Sequence, residues 1–227
     1  MSGVMMRILV DIISFAEKII KFNYYIELFF LKIVPCRLLV FLSQIKLFEQ
    51  IRRASDVVPA YSILMSKLKI DPGKINSLEN FKKHIPVLDK NSYILKNIDS
   101  IEMLCEGGTI AGSQIIMSSS GYSGNFTFWP RTNEELQDLR KNAKFIMNYI
   151  FDLERQRTLV INCLTLGIWI AGIRAGQILY NLNSKISVIN VGVKIKDTIE
   201  VVKKISDIFD QIIIIGYPPF IKNLIEA

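Results

Sequence analysis

Histidine is almost missing from this chain, with His84 the only one in 227 residues. That scarcity argues against a histidine-based metal centre and leaves a Ser-His-Asp triad a single possible base, which nothing places near a serine elbow. Cysteine is scarce too. Cys36, Cys105 and Cys163 stand far apart with no Cys-x-x-Cys spacing, so neither a disulfide framework nor a thiolate metal site is expected. Apolar neighbours around all three predict buried free thiols in a reducing compartment, the cytoplasm. Gly-Lys-Ser/Thr does not occur, which excludes a Walker loop. The one Gly-Lys, Gly73-Lys74, follows Asp71-Pro72 and reads as a turn. The dinucleotide fingerprint Gly-x-Gly-x-x-Gly is also missing, and Gly107-Gly108-Thr109-Ile110-Ala111-Gly112 is expected to be a turn between strands. Internal repeats and low-complexity tracts are absent.

What remains describes a folded α/β protein. Half the residues are hydrophobic and 22% are charged, which excludes a disordered chain. The net charge of +7 is spread among acids rather than clustered, so a nucleic-acid partner is not expected, while an anionic small molecule is favoured. Val4 to Leu47 is very apolar, but Asp11, Glu17, Lys18, Lys21, Glu27, Lys32 and Arg37 interrupt it, and no 18 uncharged apolar residues run together there. This predicts two amphipathic helices broken near Pro35, which cover the body of the protein or lie peripherally on a membrane surface. An uncharged run, Thr158–Ile173, is divided by Asn162, Thr165 and Gly167. It predicts a buried strand over 158–164 and a helix after Gly167.

Thr132-x-x-Glu135 is a capping box, and Leu136, Leu139, Ala143, Ile146 and Ile150 recur at helical spacing behind it, which predicts a helix to about Phe151. Strands are predicted at 186–191 and 211–215. A helix opened by Asp197 lies between them, with Val201, Ile205 and Ile208 on one face, and Gly216-Tyr217-Pro218-Pro219 ends the last strand. Alternating strand and helix predict βαβ units in an open, mostly parallel, doubly wound sheet.

Ser118-Ser119-Ser120-Gly121-Tyr122-Ser123-Gly124 packs five hydroxyls and two glycines into seven residues between two apolar runs, Ile115–Met117 and Phe126–Trp129. This predicts strand, tight loop, strand. Two readings are open: an anion-binding nest of backbone N–H groups and hydroxyls suited to a nucleotide phosphate, or a plain surface hairpin.

The segment Ser119-Ser120-Gly121-Tyr122-Ser123-Gly124-Asn125-Phe126-Thr127 resembles the phosphate-binding loop of the adenylate-forming (AMP-forming) enzymes, in particular the phenylacetate–coenzyme A ligase-like branch of the acyl/aryl-CoA synthetases. Other segments resembling that branch follow in the expected order: Val58-Pro59-Ala60-Tyr61, Ile85-Pro86-Val87-Leu88-Asp89-Lys90, Gly167-Ile168-Trp169-Ile170-Ala171-Gly172 and Gly216-Tyr217-Pro218-Pro219-Phe220. Tyr122 departs from the usual small hydroxyl residue, and Asn125-Phe126 replaces Lys-Pro, removing a cation from the loop.

The resemblance implies N-terminal helices over 1–56 and a partial α/β adenylation domain over 57–227, with the family's later motifs and small C-terminal domain expected beyond Ala227. It implies activation of a carboxylic acid by ATP and Mg2+ to an acyl-adenylate, then transfer to a thiol such as coenzyme A. It assigns Ser119, Ser120, Gly121, Ser123, Gly124 and Thr127 to the triphosphate, with Thr127 alternatively an ordinary strand residue. Gly167, Trp169, Gly172 and Tyr217 are assigned to the acyl pocket, with core packing as the other reading of Trp169 and strand termination that of Tyr217. No catalytic residue or protein metal ligand is assigned. This chain alone is not expected to hold the complete catalytic site, so the other function it implies is a non-catalytic nucleotide- or partner-binding remnant, or one subunit of a split ligase completed by a C-terminal half.

Overall fold

The computed structural model describes residues 3–21, 23–97, 100–119, 126–180, 182 and 184–227. The chain forms two compact units, Met1–Ala111 and Gly112–Ala227.

The first unit is helical. Helices α1 (Gly3–Ile20), α2 (Tyr24–Ile33) and α3 (Cys36–Val57) replace the two expected ones. The break at Pro35 is present, because proline tolerates only the start of a helix. The additional break before α2 is made by Asn23, whose side chain accepts from the backbone N–H of Tyr25 (2.8 Å) and Ile26 (3.4 Å), an N-cap that apolar periodicity does not reveal. Ile13 of α1 packs on Ile45 of α3, and farther along α3 Phe48 and Ile51 pack on Ile75. Helices α4 (Pro59–Lys67) and α5 (Leu78–His84) complete the unit, with exposed His84 at the end of α5. The expected boundary at 56/57 falls in the last turn of α3, while the two compact units divide at Ala111/Gly112. Cys36 is exposed at the start of α3 rather than buried, and Cys105 is only half-buried. The residues before Gly107 form 3-10 turns, so that glycine pair does not join two strands.

The second unit is α/β. Strands β1 (Ile115–Ser118) and β2 (Phe128–Arg131) pair antiparallel, with Ser118 opposite Phe128 and Ile115 opposite Arg131. Helix α6 (Asn133–Phe151) follows, and both bonds of its capping box form between Thr132 and Glu135. Three parallel strands then make a second sheet in the order β4 (Ile186–Asn190), β3 (Thr158–Asn162), β5 (Gln211–Ile215). Val160 is flanked by Val188 and Ile213. Since β4 and β5 lie on opposite sides of β3, crossovers of one hand put α7 (Ile170–Leu179) and α8 (Ile195–Ile205) on opposite faces. Val160, Ile213 and Leu179 form one core layer with Ala143, Met147 and Phe151 of α6. Leu159, Ile161 and Cys163 form the other with α8 and with Phe220 of α9 (Pro218–Ile225). The parallel, doubly wound arrangement is therefore present.

Helix α6 ends at Phe151 as expected, and the expected face of α8 is corrected. Ile146 and Ile150 are exposed, while Ala143, Met147 and Phe151 face the sheet. Helix α6 carries two adjacent apolar stripes, and periodicity cannot choose between them. Helix α8 begins at Ile195, two residues before Asp197, and gives way at Ile205 to a 3-10 turn, which leaves Ile208 exposed.

All five residues of β3 are buried. Ile161→Ala removes a side chain with no exposed surface and is expected to destabilise the fold by about 2–5 kcal/mol in urea unfolding. At the amino edge of the sheet Asp210 accepts from the Arg157 backbone N–H (2.8 Å) and from its guanidinium (3.0 Å), which together hold the carboxyl below its ordinary value. A depressed carboxylate stabilises the fold above its unfolded pKa of about 3.9 and loses that contribution as pH falls through the folded value. Asp210→Asn is therefore expected to lower the melting temperature at neutral pH, with the gap to wild type closing as the buffer is taken below pH ~4.

Candidate functional site

The carboxyl edge of a parallel sheet is where loops leave the strands and ligands bind in doubly wound folds. Here that edge is organised by Asn162, the last residue of β3, which is fully buried. Its side-chain amide donates to the Gly172 carbonyl (2.9 Å) and to Asn190 Oδ1 (2.8 Å), and its Oδ1 accepts from Leu164 N–H (3.2 Å). Its carbonyl takes the N–H groups of Val191 and Gly192, both at 3.0 Å. Asn190 ends β4 in register with Asn162 and donates to the Tyr180 hydroxyl at 2.6 Å. Sequence reasoning gave Asn162 and Asn190 no role in a site. A signal was present: Val160-Ile161-Asn162 and Val188-Ile189-Asn190 are the same tripeptide at the ends of two adjacent strands.

The turn after β3 carries Gly167 and Trp169. Gly167 is exposed at φ 86°, a conformation that favours glycine. Gly172 is buried in the first turn of α7, and a Cβ there would lie 2.1 Å from the Thr165 carbonyl oxygen. Its place in the structure is thus a close helix–loop contact. Gly176 is similarly close to Asn190, so this Gly-x-x-x-Gly pair packs a helix onto the sheet. Tyr217 leaves the same carboxyl edge from β5, half-exposed, as the N-cap residue of α9, with its ring 6.1 Å from Phe220. The following Pro218 and Pro219 open α9 as well as ending the strand.

The β1–β2 hairpin docks on this edge. Ser118 N–H donates to the Ile168 carbonyl at 2.9 Å, bridging β1 to Trp169, and Phe126 lies against the Trp169 ring with centroids 5.9 Å apart. Ser119 N–H donates to the Thr127 carbonyl at 2.9 Å, closing the base of the Ser/Gly segment. Ser120, Gly121, Ser123 and Gly124 lie outside the described residues. Their flanks are informative. Among the described residues neither Ser119 Oγ nor Thr127 Oγ1, both buried, has a hydrogen-bond partner, and Thr127 is only 5% exposed. Such orphaned hydroxyls cost about 1–3 kcal/mol each. Ser118, by contrast, donates its hydroxyl to the Ser119 carbonyl.

Charge sits at the other end of the hairpin. Arg131 lies over the Trp129 ring at 5.8 Å and pairs with Glu135 at 3.2 Å. Burial and then the nearby Arg131 hold the Arg174 guanidinium below its usual value. The strand register sets Arg131 opposite Ile115, at the far end of the pairing from Ser118 and Phe128. Among the described residues no group of three His, Cys, Asp or Glu side chains is placed to hold a metal.

Gly172→Ala drives a methyl group into the Thr165 carbonyl and is expected to destabilise the second unit by about 1–3 kcal/mol, read as a lowered melting temperature.

Comparison with protein-family models finds no match, and comparison with curated proteins finds none either.

Proposed function

We propose that the second unit is part of an AMP-forming carboxylate ligase of the phenylacetate–coenzyme A ligase-like branch, and that the Ser119–Thr127 segment binds the triphosphate of ATP. The observation that carries this reading is a pair of buried hydroxyls, Ser119 Oγ and Thr127 Oγ1, without partners among the described residues, at the base of a Ser/Gly segment whose flanking strand β1 docks on the carboxyl edge of a parallel sheet. Anionic phosphate oxygens are the natural acceptors for two such donors, and hydrogen bonds to a charged group are the stronger kind.

In the reaction, a carboxylate oxygen of the substrate attacks the α-phosphorus of ATP and pyrophosphate leaves, giving an acyl-adenylate. A thiol, coenzyme A on the strength of the resemblance, then attacks the acyl carbonyl and AMP leaves. Charge develops on phosphate oxygens in the first step, so fixed N–H and O–H donors at the segment favour it. Mg2+ enters as the counter-ion of the nucleotide. Trp169, with Phe126 against it, offers an apolar wall for the acyl group. Gly167 allows the turn that carries Trp169, and Tyr217 flanks the same edge from β5. Gly172 contributes by letting α7 approach.

Titration calorimetry with ATP and Mg2+ on the full chain tests the reading. Thr127→Val and Ser119→Ala are each expected to weaken binding about tenfold, the loss of a hydrogen bond to a charged group. No detectable binding by folded wild-type protein at millimolar ATP overturns it. Pyrophosphate exchange over a panel of carboxylic acids then separates the ligase from the non-catalytic alternative, which binds nucleotide without exchange.

A further inference from the structure

Helix α1 has two apolar faces. One, with Leu9, Val10 and Ile13, packs on Leu42 and Ile45 of α3. The other is a stripe of Ile8, Ile12, Phe15 and Ile19 at helical spacing, with exposures of 55–67%. Helix α2 buries no residue, and Tyr25, Phe29 and Ile33 repeat every four residues with more than half their surface exposed. A separate groove of about 300 Å3 between α1, α2 and α3 is lined chiefly by other apolar side chains, among them Phe30, Leu31, Leu38 and Leu39, which are themselves exposed. Apolar surface on this scale marks an interaction site.

The charges say which kind. Residues 1–46 contain six lysines and arginines against three acids. Lys18, Lys21, Lys32 and Arg37 are all exposed. Of the acids, Glu17 pairs with Lys46, Glu27 is partly buried and Asp11 is exposed. Burial raises the Glu27 carboxyl from its ordinary value, against the opposing pull of Lys21. A second copy of this chain would bring like charges together across the face. A bilayer with anionic headgroups satisfies both features, taking the aliphatic and aromatic side chains at its boundary while the long lysine and arginine stems reach the phosphates. Among the described residues no helix is long and apolar enough to cross a membrane, so the contact is in the plane of the surface.

We infer that α1 and α2 form a membrane-surface anchor for anionic phospholipid, held by the Ile8–Ile19 stripe and the lysines beside it.

Vesicle flotation of the full chain tests this, comparing phosphatidylcholine alone with vesicles of about 30% phosphatidylglycerol. Wild type is expected to float with the anionic vesicles, more weakly with neutral ones, and less at high salt. Phe15→Glu combined with Ile19→Glu alters only exposed positions. With the fold checked by circular dichroism, it is expected to lower the partition coefficient by about tenfold or more. Lys18→Glu combined with Lys21→Glu is expected to reduce the anionic preference while leaving weak neutral binding. Wild type that stays out of the anionic fraction at low salt overturns the inference. So does a folded Phe15→Glu/Ile19→Glu protein that floats as well as wild type. A dimer by light scattering that this double substitution converts to monomer, with no vesicle binding by wild type, assigns the face to a second copy instead.

Discussion

Everything in the second unit depends on the complete burial of β3. A strand covered on both faces and paired on both edges has no water to turn to when it ends, so its terminal polar groups must find partners inside the protein. The two ends solve this differently. At the amino end, Thr158 Oγ1 accepts from Gln211, whose amide also donates to the Phe151 carbonyl, and the Arg157–Asp210 pair closes the edge. At the carboxyl end the work falls on one amide side chain, Asn162, whose bonds reach Leu164, Gly172 and Asn190. The first solution ties strands to strands. The second ties a strand to the loop and helix that follow it, and so fixes the turn that carries Trp169. The site is a by-product of ending a buried strand with asparagine.

Much of this was legible in the residues. The continuous apolar run at Thr158, the capping box at Thr132, and the strand, helix and strand order after it mark a parallel sheet whose helices alternate between faces. The hairpin around the Ser/Gly segment was legible too, because two short apolar runs flank a stretch that only a turn accommodates. What the sequence hid was choice between near-equal alternatives. Helix α6 offers two apolar stripes, and tertiary packing selects the one through Met147. Asn23 sits in an apolar stretch where its capping role shows only once the helix around it is broken. Gly172 and Gly176 look like a helix-pairing motif, and only the positions of the Thr165 carbonyl and Asn190 reveal a helix-on-sheet contact. Contacts between distant residues, such as Ser118 with Ile168 and Phe126 with Trp169, have no signature in spacing at all.

The first unit presents the opposite problem. The helices before Val57 have more apolar surface than their own packing consumes. Leu9, Val10 and Ile13 are sufficient to seat α1 on α3, yet Ile8, Ile12, Phe15 and Ile19 remain outside. A helix needing only one face to fold gains nothing in water from a second apolar face. The charged residues that interrupt the segment, which argue against a spanning helix, are also those that suit an interface between apolar and anionic phases.

Ser119 and Thr127 pose the same question on a smaller scale. For Thr127, valine would fill the same space in the hairpin without leaving a hydroxyl unpaired, and serine at position 119 faces the same comparison with alanine. Ser118, one residue away, shows that the local backbone can satisfy a hydroxyl when geometry allows. Two neighbours that find no partner among the described residues, on the two chains leading into one Ser/Gly segment, are a local cost to stability. Such a cost is rational where the missing acceptors arrive with a ligand, and phosphate oxygens meet that description better than a carbonyl or a water because they carry the charge that a net-positive protein favours.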